Sequence, residues 1–189
     1  GYWSPSCLKP VGRKMRERQF KQSAPGGNAF LGGGMAKVFL GGTCNKSTWR
    51  DTIIRGLKID YFNPVVPDWT PPCQAEEIRQ RELCEFVLYV ITPKMAGVYS
   101  IAEAIDDSNK KPLQTIFTYI IRDDDSSFTD GQIRSLHAVG KLIERNGGTF
   151  CSGLDACIAH LNERGALLNE LEIKWEYRYE FVDEYGVFD

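Results

Sequence analysis

The chain has 189 residues, 42% of them hydrophobic and 25% charged, with a net charge of −2. That suits one compact domain with appendages and a sizeable core. The near-zero charge gives no electrostatic signal for nucleic acid, and no apolar run approaches a membrane span. The six cysteines, Cys7, Cys44, Cys73, Cys84, Cys151 and Cys157, form no CxxC pair, and His137 and His160 stand far apart. No zinc spacing results, so no metal and no cofactor are expected. Scattered thiols without a charged-then-apolar leader predict a cytoplasmic protein.

Residues 1–34 mix Pro, Gly and Ser with a basic cluster, Arg13 to Arg18, and close on Gly32-Gly33-Gly34. They read as an extension or linker, with Met35 a candidate start. The alternative is an arm docked on a neighbouring subunit through Tyr2, Trp3, Phe20 and Phe30. Residues 35–170 alternate strand and helix. Ala36 to Leu40 is a short strand ending at Gly41-Gly42. Ser47 or Thr48 is placed to cap a helix reaching Gly56. Ile59 to Phe62 is a second strand, stopped by Asn63-Pro64 and followed by a proline-rich loop with Asp68 and Trp69. Ala75 to Cys84 is a charged helix. Phe86 to Thr92 is the most apolar run and suits a central parallel strand covered on both faces. Then come a Pro-Gly loop, a helix from Ser100 to Asn109, a strand from Leu113 to Tyr119 and a polar loop over Asp123 to Ser127. A helix from Asp130 to Glu144, a strand from Gly148 to Cys151 and a helix from Leu154 to Leu168 complete the domain. In the tail, 171–189, the alternation from Trp175 to Phe181 predicts an added strand or extended arm.

Repeated strand–helix units predict an α/β fold: a flavodoxin-like, doubly wound, five-stranded parallel sheet with N- and C-terminal extensions. Ligands of such sheets bind beyond the carboxyl ends of the strands. Three loops therefore carry the candidate site. In the first, Gly41, Gly42 and Thr43 allow close backbone approach, but neither GxxxxGK[ST] nor GxGxxG spacing is present. A tight strand-to-helix turn explains them equally well. In the third, Gly97, Tyr99 and Ser100 lead to Glu103. Ser100 and Glu103 stand at capping-box spacing. The alternative is that Glu103 sits in the first helical turn beside the ligand crevice as an ionised nucleophile. Cleavage at a sugar anomeric centre commonly needs a second carboxylate. Among Asp68, Glu76, Glu77, Glu82 and Glu85, the leading choices are Asp68 and Glu77. Trp69, Phe62 and Tyr99 are candidates to stack on a base. Lys94 suits a phosphate. Asp123-Asp124-Asp125 lacks EF-hand spacing.

These stretches together resemble the nucleoside 2-deoxyribosyltransferase-like family. The resemblance lies in Val38 to Thr43, Trp49-Arg50, Phe62-Asn63-Pro64 with Asp68-Trp69, Val87 to Pro93 and, most closely, Gly97 to Glu103. It covers about residues 36–120 and implies the same fold. It implies that Glu103 attacks C1′ of a nucleoside or nucleotide and releases the base. A second base or water then resolves the glycosyl-enzyme. Gly41, Gly42 and Thr43 would line the floor, and Ser100 would contact the sugar or a 5′-phosphate. It further implies a homo-oligomer, a dimer or larger. Two other functions fit the same residues: hydrolysis of an N-glycoside such as NAD, and a nucleotide-binding sensor without turnover.

Overall fold

An apolar run closed by two glycines forms the first strand, β1, Lys37–Gly42, in a computed structural model that describes residues 36–67 and 70–185, with side chains to residue 171. The expectations for residues 1–34, and for Asp68 and Trp69, lie outside the described residues. The next elements are α1, Trp49–Gly56, β2, Asp60–Phe62, and α2, Pro71–Leu83. They are followed by β3, Phe86–Ile91, α3, Tyr99–Lys110, and β4, Thr115–Tyr119. A small hairpin, β5 (Arg122–Asp123) with β6 (Ser126–Ser127), precedes α4, Asp130–Arg145. The last two are β7, Thr149–Phe150, and α5, Leu154–Tyr185.

Five strands make one parallel sheet in the order β2-β1-β3-β4-β7. This is the flavodoxin-like order, with its reversal between β1 and β3. Every residue of β3 is buried, as the unbroken apolar run predicted. Phe86, Leu88 and Val90 join a core with Trp49 and Ile53 of α1 and Cys157 and Leu161 of α5. Val87, Tyr89 and Ile91 join a second core with Ala104 of α3 and Leu136 and Ile143 of α4. Each large side chain so buried contributes about 1.5–3 kcal/mol, and the two cores put helices on both faces of the sheet.

Several local expectations are corrected. α2 opens at Pro71 rather than Ala75, because prolines fit the first helical turn, where backbone N–H groups lack partners anyway. Pro112–Gln114 form a single 3₁₀ turn, so β4 begins at Thr115 and Leu113 stays exposed. The loop expected over Asp123 to Ser127 is the β5–β6 hairpin, with Asp124 at φ 49° in its turn. The tail strand is absent, for α5 continues to Tyr185. A period of two also contains i, i+4 rows, here Tyr177, Phe181 and Tyr185, so the alternation that suggested a strand is compatible with a helix.

Candidate active site

The two strands at the reversal point are tied together where their loops begin. Gly42 has φ +116°, and a Cβ there would lie 2.1 Å from the Val90 carbonyl oxygen. A Cβ on Gly41 would meet the Tyr89 ring at 2.8 Å. Both glycines are thus required by the approach of β1 to β3. The Thr43 amide donates to Val90 O at 2.9 Å, and its hydroxyl accepts from the Thr92 amide at 2.9 Å. Arg50 of α1 is only 4% exposed and donates to the carbonyls of Leu40 and Thr43 at 2.7–3.2 Å. Burial lowers its pKa, a shift that the charges of Cys44 and Glu77 partly oppose. Asn45 donates to Lys94 O at 2.9 Å, joining the first and third loops.

Those loops also share an anchor. Asp123 of the hairpin accepts from the Ser47 hydroxyl and lies 3.4 Å from Lys94 Nζ. Burial raises its pKa, but hydrogen bonds from Ser47, Thr92 and Lys94 bring it below the usual carboxylate range. Ser47 therefore does not cap α1. Thr48 holds the cap position without a side-chain cap bond. Lys94, read from the sequence as a phosphate ligand, has its ammonium on Asp124 at 2.5 Å and on the Lys46 carbonyl at 3.0 Å.

Glu103 is in the second turn of α3, because the helix starts at Tyr99 and its cap position is Val98. Ser100 lies inside the helix, and no side-chain cap bond exists. The capping-box reading of Ser100 and Glu103 is therefore overturned. Instead, Glu103 Oε1 accepts from Arg81 Nη1 of α2 at 2.8 Å, and its main-chain oxygen accepts from Arg81 Nη2 at 3.3 Å. Arg81 Nε donates to Asp107 Oδ2 at 2.9 Å, and the Tyr89 hydroxyl donates to that same oxygen at 2.7 Å. Among the described residues, Oε2 of Glu103 accepts no hydrogen bond, and no buried side-chain oxygen or nitrogen lacks a partner. One oxygen is therefore pinned and the other has no partner among the described residues. Burial raises the Glu103 pKa, opposed by Arg81 and reinforced by Glu77, Asp107 and Asp106.

Of the described carboxylates near the second loop, Glu77 joins this group. Burial raises its pKa, opposed by the charges of Arg50 and Arg81. It makes no side-chain hydrogen bond among the described residues, and its charge acts on both Arg50 and Glu103. Glu76 is bound by Arg79 at 2.6 and 2.8 Å and by Gln80, which lowers its pKa to about 2. Glu85 accepts from the Lys37 amide at the opposite end of the sheet. Gly97, Val98 and Tyr99 are exposed, nothing lies within 4 Å of a Cβ built on Gly97, and Ser100 is half-buried. Phe62 stacks on Phe39 with ring centroids 5.9 Å apart.

The sequence reading missed Arg81, Asp107 and Tyr89. Asp107 stands four residues after Glu103, a spacing that places both on one helix face. Nothing in the sequence couples either to Arg81 of a different helix. A concavity of about 570 Å³ lies elsewhere, between the ends of β4 and β7 and the flank of α4. It holds Lys141 and Glu144, already paired at 2.7 Å, and none of the Glu103 network. The chemistry therefore points to the β1–β3 reversal rather than to the larger space. A smaller hollow of about 240 Å³ between α2 and α3 is lined by Arg81 and Asp107.

No helix among the described residues is long and apolar enough to cross a membrane. No curated protein matches the chain. Residues 35–118, which include Arg50, Glu77, Arg81, Glu103 and Asp107, match the model of the family described as nucleoside 2-deoxyribosyltransferase like.

Proposed function

We propose that the protein cleaves the N-glycosidic bond of a 2-deoxynucleoside by way of a covalent intermediate on Glu103. The observation that carries this reading is the unequal state of the Glu103 oxygens. Oε1 is held by Arg81, while Oε2 has no partner among the described residues. A nucleophile needs such an arrangement: fixed at one end and unbonded at the other. Its place in the α3 turns that follow β3, within the segment matching the family, supports the same reading.

Glu103 attacks C1′, forming a glycosyl ester as the C1′–N bond breaks. The bond's electrons go to the base, which takes a proton from Glu77. A second base or a water then attacks C1′, its proton returns to Glu77, and Glu103 leaves as the carboxylate. Glu77 suits the acid's part because burial raises its pKa against the charges of Arg50 and Arg81, and no donor among the described residues binds it. Thr43, Gly41 and Gly42 build the floor beside the ends of β1 and β3. Tyr99 and Ser100 border the entrance. A 5′-phosphate reaches Lys94 only by displacing Asp124, so the neutral nucleoside is the favoured substrate.

Incubation with 2-deoxynucleosides, with and without a second free base, tests this reading by chromatography of the products. Base exchange is expected, with release of free base when no acceptor is added. The deoxynucleoside monophosphates and NAD serve as comparison substrates. Full turnover by Glu103→Ala, or binding of every substrate with no product, would sink the proposal.

A further inference from the structure

We propose that Arg81 is a positioning residue for Glu103, fixing one carboxylate oxygen and keeping the group charged so that the other oxygen is free to attack. This rests on reading Glu103 as the nucleophile. The guanidinium uses all three of its nitrogens. Nη1 goes to Glu103 Oε1 at 2.8 Å, Nη2 to the Glu103 main-chain oxygen at 3.3 Å, and Nε to Asp107 Oδ2 at 2.9 Å. Asp107 is 4% exposed and is itself held by the hydroxyl of Tyr89, a fully buried residue of β3. The carboxylate is thus referenced, through two side chains, to the central strand of the sheet. A planar fork held at three points has little freedom to turn, which a lysine ammonium would retain.

The charges around Glu103 make Arg81 the deciding one. From α2 it faces Arg81 and Glu77, and on α3 it neighbours Asp106 and Asp107. Three acidic groups and partial burial favour a protonated, non-nucleophilic carboxyl. Arg81 alone among them opposes that. Asp106, at 3.9 Å from Nη2, is half exposed and competes weakly. The plainer role for Arg81 is a tie between two helices, and that role predicts loss of stability with no change in how Glu103 titrates.

The test follows the Glu103 side-chain carboxyl by carbon NMR across pH in protein labelled at glutamate. The signal is assigned by its disappearance in Glu103→Gln. In Arg81→Gln the midpoint is expected to rise by about one to three pH units. The acid limb of turnover should move by the same amount. Arg81→Lys, which keeps the charge but not the fork, is expected to hold the midpoint near that of the parent and to lose kcat rather than gain KM. An unchanged midpoint in a folded Arg81→Gln overturns the proposal. So does undiminished kcat in Arg81→Lys, the variant that decides should Arg81→Gln not fold. The titration needs no substrate, so turnover surviving in Glu103→Gln would remove the nucleophile reading and leave the Arg81–Glu103 coupling to be judged separately.

Discussion

Glu103 and Glu77 share a setting and differ in what holds them. Burial raises the pKa of both, but only Glu103 accepts a hydrogen bond from a guanidinium, and Glu77 has none from any described side chain. The proposed division into nucleophile and acid rests on that difference. It has a kinetic signature. Glu77→Gln should lower kcat on natural deoxynucleosides by about 10²–10⁴-fold. It should barely affect 4-nitrophenyl 2-deoxyriboside, whose nitrophenolate departs without a proton. Steady-state rates on the two substrates read the ratio, and equal losses would remove Glu77 from the acid's role. Glu103 stood out in the sequence as a candidate because its loop follows the most apolar strand, and ligands of such sheets bind beyond the strand ends. Arg81 was not legible. An arginine on a charged helix looks like any solvated charge until the neighbouring helix is in place. The Ser100–Glu103 spacing misled for a related reason: it assumes that the helix begins after Ser100, whereas it begins at Tyr99.

The β5–β6 hairpin joins elements that are distant in sequence. Through Asp123 it reaches Ser47 in the loop after β1 and Lys94 in the loop after β3. With Asn45 on Lys94 O, it holds both loops in one arrangement. Asp123→Ala should therefore speed amide hydrogen exchange over residues 43–47 and 93–97, and raise KM more than it lowers kcat. Exchange confined to the hairpin would show that the loops do not depend on it. Strands of five and six residues such as β4 and β3 were visible as apolar runs with turn residues beside them. Two-residue strands such as β5 and β6 are too short for alternation to register, so they read as a polar loop. The start of α4 agrees with the helix expected from Asp130, and Thr129 and Gln132 form a reciprocal capping box there.

For the whole molecule, a carboxyl whose pKa is raised by folding binds its proton more tightly in the native state than in the unfolded chain. Between the ordinary carboxylate value and the raised one, the native state holds more protons, so stability falls as pH rises through that window. Glu103 contributes such a loss, and Glu103→Gln removes it. Urea unfolding should therefore place Glu103→Gln at or above the parent at neutral pH, with the gap closing on acidification as Glu103 takes up its proton. A variant less stable than the parent at neutral pH would mean that the Arg81 pair outweighs burial. The five-stranded, doubly wound parallel sheet was readable from repeated strand–helix units, since parallel strands leave few ways to connect them. Charge pairing between helices was not, because it depends on how those units pack.

α2 carries both Glu77 and Arg81, yet it has no fully buried residue. The sheet and its two cores owe it little, and its inward ties are mostly ionic. On the proposed reading, the acid and the positioning arginine thus stand on a helix with no buried residue, while Glu103 stands on α3, which packs on the sheet. Under the proposed mechanism, substitutions along α2 are expected to retune acidity and substrate choice with little effect on the two cores of the sheet.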